Sequence, residues 1–239
     1  MKHIYIVISA TLTKFGFVIR KLGGIRYNHA AIAFDPEFNE WYSFARRRHK
    51  AVLTGGLMKE HIRRYTLDTD KPVDCIIFRI PVRDEKYDEL RDTIRYIADD
   101  GEYIYNLLSV LTYPVTKGIT TKKAFTCTEF VAYMLYITGF KLKRPICTYK
   151  PDEIAHILRT FIYYRGDLAE YVKHGHNKQT DYFDDLSEKD VTESLHNVKG
   201  ILKRLPWSHQ GRHGIQGGVH GQLQNHKLYL RGRIRRKAL

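Results

Sequence analysis

The chain has 239 residues, 43% of them hydrophobic, with three cysteines and a formal net charge of +14. This length and apolar content fit one folded domain, alone or with an appendage. The odd, low cysteine count excludes a disulfide framework and indicates a reducing compartment. The sequence has neither zinc-ligand spacing nor a segment long enough to cross a membrane, so we expect no metal, no cofactor and no transmembrane span.

The first half of the chain is predicted to be rich in strands. Residues 3–9 are short, β-branched and apolar and lack a small-residue cleavage site, which favours a first strand over a signal peptide. Residues 13–24 have apolar spacing typical of a helix and end in Gly-Gly. The runs "HAAIAFD" and "WYSFARR", separated by the turn-like "PEFNE", predict a β-hairpin, and "DCIIFRIPV" predicts a further strand.

The second half is predicted to be rich in helices. Residues 84–100 have an amphipathic pattern with acidic side chains in the first turn. An apolar run over 127–138 stops at Gly139, and residues 150–160 predict a short helix with Pro151 near its first turn. Strands followed by helices indicate an α+β domain.

The C-terminal part differs in composition from the rest of the chain. Apolar periodicity weakens from about residue 173, and the last stretch is rich in Gly, His, Gln and Arg. We therefore predict a folded domain over 1–172 and a basic tail over 173–239 that is largely disordered. Ten Lys and Arg side chains and no acidic one follow Glu193. The tail is then either a solvated extension or a site for polyanions such as nucleic acid, teichoic acid or anionic lipid.

Cys127 lies at the predicted start of a helix. Thr126 and Glu129 match the S/T-x-x-E capping box directly before an apolar run. Unpaired backbone N–H groups and the helix dipole favour a thiolate there, and the thiolate is the nucleophilic form of cysteine. Such a nucleophile also needs a base, usually an imidazole. The alternative is a buried, unreactive core cysteine, which is our interpretation of Cys75 and Cys147.

Four motifs within residues 1–160 carry a resemblance to a known superfamily. They are "YNHAAIAFD", "WYSFARR", "GGLMKE" and "FTCTEFVAYML". In this order they resemble the circularly permuted NlpC-like papain-fold proteins, in which the histidine precedes the cysteine. That superfamily includes bacterial cell-wall amidases and peptidases and, more distantly, the lecithin:retinol acyltransferase group. The resemblance implies an antiparallel sheet packed against helices, with Cys127 as nucleophile and His29 as its base.

The third catalytic position is where this sequence departs from the family pattern. Related proteins often have Glu or His on the strand after the histidine strand, and the matching residue here is Ser43. A serine hydroxyl accepts a hydrogen bond from an imidazole but cannot stabilise imidazolium as a carboxylate does. Glu40, at the turn end of the same strand, is the alternative third member if the register differs.

Two further residues are candidates for substrate binding. Arg46 belongs to the basic cluster "FARRRHK", which is either a solvated loop or a site for an acidic group of the substrate. Tyr105 precedes the cysteine helix and either lines the cleft or packs in the core.

The sequence thus predicts a thiol hydrolase that cleaves an amide through Cys127 and His29, without metal or cofactor. The resemblance implies a peptidoglycan stem peptide or another N-acyl amide as substrate. The absence of a clear signal peptide favours a cytoplasmic protein, or one encoded by a phage. The alternative is a catalytically weak or inactive protein that keeps the fold and binds polyanions through its tail.

Overall fold

The computed structural model describes residues 1–51, 53–172, 181–185 and 187–204. It confirms an α+β fold with an antiparallel sheet packed against helices. Six strands form the sheet in the order β4-β3-β2-β1-β5-β8, and every neighbouring pair is antiparallel. These strands are β1 (Lys2–Ser9), β2 (His29–Ala33), β3 (Trp41–Arg46), β4 (Gly55–Lys59), β5 (Asp74–Val82) and β8 (Ile162–Asp167). Two short strands, β6 (Ile104–Tyr105) and β7 (Ala124–Phe125), form a separate parallel pair.

The central strand β1 is buried on both faces of the sheet. Residues 4–9 are all buried, because helices or loops cover each side of this strand. The sequence of a strand that is covered on both faces is an unbroken run of apolar residues, without the usual alternation of apolar and polar residues. Strand β1 pairs with β2 through Tyr5↔Ala33 and with β5 through Ile6↔Phe78. The predicted hairpin of β2 and β3 is also present.

The helices cover both faces of the sheet. The larger hydrophobic core packs α3, α5 and α6 against one face, and a smaller aromatic cluster with Trp41 and Tyr65 packs α2 and α7 against the other. Helix α5 is buried almost all round, so it is held in place from every side. The helices are α1 (Lys14–Gly23), α2 (Ile62–Thr66), α3 (Asp84–Asp100), α4 (Leu107–Thr116), α5 (Cys127–Ile137), α6 (Pro151–Ile157), α7 (Leu168–Tyr171) and α8 (Glu188–Arg204). None of the described helices is both long and apolar enough to cross a membrane.

Helix α8 is an ordered element inside the region that the sequence analysis assigned to the tail. Its side chain Ile201 is buried in a small cluster with Ile104 and Ala124. Asp190 accepts from Arg48 at 3.1 Å. The sequence analysis judged the apolar periodicity weak here, although Val191, Leu195, Val198 and Ile201 recur at helical spacing. Residues 173–180 and 205–239, on which the predicted disorder and polyanion binding mostly rest, lie outside the described residues.

Candidate active site

Cys127 is the first residue of α5, and the predicted capping box is present. The Thr126 hydroxyl accepts from the backbone N–H of Glu129 at 3.0 Å, and a carboxyl oxygen of Glu129 accepts from the backbone N–H of Thr126 at 3.3 Å. The first backbone N–H groups of an α-helix have no partner within the helix. The Cys127 thiol, which is 6% exposed, therefore lies where the helix dipole favours an anion.

The structure brings His29 and Cys127 together. His29 is the first residue of β2, and its imidazole is hydrogen-bonded to Glu60 and lies close enough to the Cys127 thiol for each group to shift the pKa of the other. The thiol itself contacts the backbone oxygen of Asn28 at 4.0 Å and the Thr128 hydroxyl at 3.9 Å. The distance from His29 Nε2 to Glu60 Oε1 is 3.0 Å. Because Nε2 is engaged by the carboxylate, Nδ1 is the ring nitrogen left to exchange a proton with the thiol.

Glu60 occupies the third position, which the sequence analysis assigned to other residues. It directly follows β4, and its side chain is only 1% exposed. One carboxylate oxygen accepts from His29 and from the Ser43 hydroxyl, and the other is 2.9 Å from Arg64 Nε. Thus the imidazole has a carboxylate partner, as in the triads of acyl-transfer enzymes.

Both earlier candidates for that position need correction. Ser43 donates to the Glu60 carboxylate, so it supports the ring's partner and is not itself the third member. Glu40 forms an ion pair with Arg91 Nη2 at 2.5 Å. The error came from expecting the third member on β3, whereas Glu60 follows the next strand in the sheet. The "GGLMKE" motif ends at this residue, and Arg64 four positions later was the other available signal.

Electrostatics of the three residues favour a thiolate–imidazolium pair. Burial by itself lowers the pKa of His29, but the neighbouring Cys127 and the Glu60 carboxylate raise that pKa to about 9. Burial likewise opposes the ionised form of Glu60, yet the Arg64 charge and the His29 hydrogen bond lower its pKa to about 2. For Cys127, burial raises the pKa, and the proximity and charge of His29 outweigh it, so the net shift is downward. Proton transfer from thiol to imidazole is therefore favoured.

The other two cysteines have the opposite environment. Burial raises the pKa of Cys75 to about 12, and burial also raises the pKa of Cys147. Within the described part of the chain, neither thiol has an imidazole among the groups that shift its pKa. Cys127 is thus the thiol expected to react first with an electrophile.

Aromatic side chains pack against the imidazole of His29. The ring of Tyr65 meets that of His29 edge-on, with centroids 5.3 Å apart and an interplanar angle of 72°. Tyr65 in turn stacks on Trp41 with centroids 4.7 Å apart. Edge-to-face and offset stacked contacts of this kind restrict ring orientation. The imidazole is therefore positioned before any substrate binds.

Two cavities open on either side of this constellation. A largely apolar groove of about 800 Å³ includes Cys127, and a more polar cavity of about 470 Å³ includes His29 and Glu60. Arg46 lines the polar cavity, and Tyr105 lines both. The two predicted substrate-binding residues therefore lie beside the site. Among the described residues, no group of three or more His, Cys, Asp or Glu side chains is placed to hold a metal ion.

In comparisons with known proteins, no family model, no curated protein and no solved structure matches this chain. The functional argument therefore rests on the geometry and chemistry of the site.

Proposed function

We propose that this protein is a cysteine amidase or peptidase with a permuted papain-like fold. The observation that carries the proposal is the placement of the His29 imidazole between the Cys127 thiol, whose pKa it lowers, and the buried Glu60, to which it is hydrogen-bonded. It is joined by the position of Cys127 at a helix N-terminus and in the wall of a groove. A nucleophile, a base and a group that orients the base are the parts required for covalent acyl transfer. The order of the motifs supports the permuted topology.

Acylation begins from the thiolate of Cys127 and the imidazolium of His29. The sulfur attacks the amide carbonyl carbon, and the carbonyl electron pair moves onto oxygen. The backbone N–H of Cys127 and a neighbouring donor stabilise this oxyanion. When the pair returns, the C–N bond breaks and His29 gives its proton to the departing nitrogen, leaving a thioester on Cys127. Glu60 holds the imidazolium throughout.

Deacylation uses the same groups with water as the nucleophile. Neutral His29 removes a proton from water as the oxygen attacks the thioester carbonyl. The C–S bond then breaks, which releases a carboxylic acid and restores the thiolate and imidazolium. No metal or cofactor enters either step. A thiol that must stay reduced fits the cytoplasmic location inferred from the sequence.

The test of this proposal is cleavage of N-acyl amino acids and peptidoglycan stem peptides by the purified chain. We expect Cys127→Ala to abolish turnover and Cys75→Ala, the matched buried control, to retain it. Alkylation by a small electrophile at neutral pH, mapped by mass spectrometry, should label Cys127 before Cys75 and Cys147. Equal labelling of the three thiols would contradict the proposal, as would turnover that survives Cys127→Ala.

The rival hypothesis is a catalytically weak binding protein that uses its basic tail. It drew support from the apparent lack of a carboxylate partner for His29, since Ser43 stood at the expected position. Glu60 removes that argument, because a buried, ionised carboxylate bonded to the imidazole is the group that catalysis needs. Polyanion binding by the tail remains a separate hypothesis about residues outside the described part of the chain.

A further inference from the structure

The two cavities beside the site differ in chemical character and meet at its centre. They share four lining residues, so the two cavities are adjacent. The shared residues are Phe15, Ile19, Asn28 and Tyr105. The proposed nucleophile and base lie where the cavities join, because Cys127 lines the groove and His29 lines the polar cavity.

The groove on the Cys127 side is built for an apolar group. Its walls come mainly from α1 and α4, and aliphatic or aromatic side chains supply most of the lining, among them Val18, Leu22, Val110 and Leu111. Burial of a hydrocarbon chain there would remove apolar surface from water on both molecules.

The cavity on the His29 side holds an unneutralised cation. Arg46 is only 9% exposed, yet among the described residues it has no carboxylate partner. Its guanidinium donates to the backbone oxygen of His49 at 3.1 Å and lies over the ring of Phe15, 5.0 Å from the centroid. By contrast, Arg64 in the same cavity is paired with Glu60. A buried charge without a counter-ion is costly, so an anion at this point would be stabilised.

Other groups around Arg46 make the same end of the cavity positive. The pKa of His49 is lowered by burial and then by the nearby charges of Arg46, Lys14 and Lys50. Glu60 does not offset this field, because its carboxylate is already shared by His29 and Arg64. The polar cavity thus favours an anionic group over a neutral one.

The chemistry fixes which part of the substrate enters which cavity. In the proposed mechanism His29 protonates the departing nitrogen, so the amine part lies on the His29 side and the acyl part on the other. We infer that the substrate is an N-acyl amide with an apolar acyl chain in the groove and an anionic group, carboxylate or phosphate, on its amine part at Arg46. This inference rests on the proposed function and narrows it from amides in general.

Pairs of substrates that differ in one feature test the inference on the full chain. N-dodecanoylglycine and N-dodecanoylglycinamide differ only in the carboxylate, and N-acetylglycine lacks the long chain. We expect kcat/KM for N-dodecanoylglycine to exceed both of the others by about tenfold or more. N-dodecanoyl phosphoethanolamine decides between carboxylate and phosphate. Equal rates for all four, or a preference for a stem peptide, would overturn the inference.

Two sets of variants with matched controls test whether the anion preference arises at Arg46 and the acyl-chain preference in the groove. Arg46→Gln should reduce the ratio of rates for N-dodecanoylglycine and its amide towards one, and Arg46→Lys should give an intermediate ratio. The control Arg47→Gln, which removes a surface cation paired with Glu193, should leave the ratio unchanged. An unchanged ratio in both Arg46 variants would overturn the anion site.

For the groove, Val110→Phe narrows the wall, whereas Val115→Phe adds the same bulk at an 87% exposed position on the same helix. We expect only Val110→Phe to reduce the preference for dodecanoyl over acetyl substrates. Equal effects of the two variants would overturn the acyl groove. Labelling of Cys127 distinguishes failure of this inference from failure of the proposed function. A selectively labelled, active enzyme without these substrate preferences contradicts only this inference. Failure of selective labelling contradicts the proposed function itself.

Discussion

Glu60 is the carboxylate partner of the His29 imidazole at the candidate site. It is buried and ionised, it is hydrogen-bonded to His29 and Ser43, and it is ion-paired with Arg64. Arg64 and Ser43 hold the carboxylate in place, so its position does not depend on the substrate. A residue so constrained orients the imidazole and stabilises its charged form.

Substitution of Glu60 by Gln should reduce activity and shift its pH dependence. The amide keeps the shape of the side chain but loses the charge, so the pKa of His29 should fall from about 9. The thiolate–imidazolium pair exists at pH values between the pKa of Cys127 and that of His29. A lower pKa of His29 should therefore reduce the upper pH limit of activity. We expect kcat/KM to fall on the order of 10²-fold or more.

The matched control is Glu40→Gln, which removes a carboxylate paired with Arg91 away from the imidazole. The measurements are kcat/KM and the rate of thiol alkylation between pH 5 and pH 10, both set against the wild-type profile. If the Glu60 and Glu40 variants had the same pH profile, the role of Glu60 would be refuted.

At the scale of the element, α5 owes its start to the capping box. Thr126→Ala removes the hydroxyl that accepts from the Glu129 N–H. We expect a loss of about 1 kcal/mol in the free energy of unfolding and slower alkylation of Cys127, because the first turn becomes less well defined. Thr126→Ser keeps the hydroxyl and should behave like wild type in denaturant unfolding. A serine variant as destabilised as the alanine variant would show that the threonine methyl, not the cap, matters.

The other half of the capping box predicts a pH-dependent stability. Burial raises the pKa of Glu129 from 4.5 to about 8. The protonated carboxyl is thus favoured in the folded state, and its stability contribution, complete below pH 4.5, is lost as pH rises towards 8. Glu129→Gln cannot ionise but can still accept from the Thr126 N–H. Its melting temperature should therefore exceed that of wild type at pH 9 by more than at pH 5, and a constant difference would contradict the burial effect.

At the scale of the whole molecule, α8 joins a late segment of the chain to the sheet domain. Ile201 is the buried apolar contact, and Asn197 donates to the backbone oxygen of Leu53 at 3.3 Å. We expect Ile201→Ala to lower the free energy of unfolding by about 2 kcal/mol, as measured by urea titration. The exposed Leu195 on the same helix supplies the control, and Leu195→Ala should change stability little. Similar losses in both variants would argue that α8 does not pack as described.

Several features could be predicted from the sequence because they are local. The start of α5 depends on hydrogen bonds between Thr126 and Glu129, three positions apart, and both lie in a recognisable motif. The strand β1 and the hairpin of β2 and β3 follow from apolar runs and turn residues. The α+β class then follows from the order of the elements. These are short-range properties that each segment carries before the chain folds.

The remaining features were decided by tertiary structure. Glu60 meets His29 across 31 positions, and the contact depends on the pairing of β2 with β3 and of β3 with β4. Arg46 is unusual because it is buried and has no carboxylate partner among the described residues, which depends on which acidic groups the fold brings near it. The helical spacing of α8 is present in the sequence, but only the fold shows that Ile201 packs against Ile104 and Ala124, which lie far away in the chain. Sequence alone determined which segment could bear a nucleophile, whereas packing determined its partner, because burial and charge pairing belong to the assembled fold.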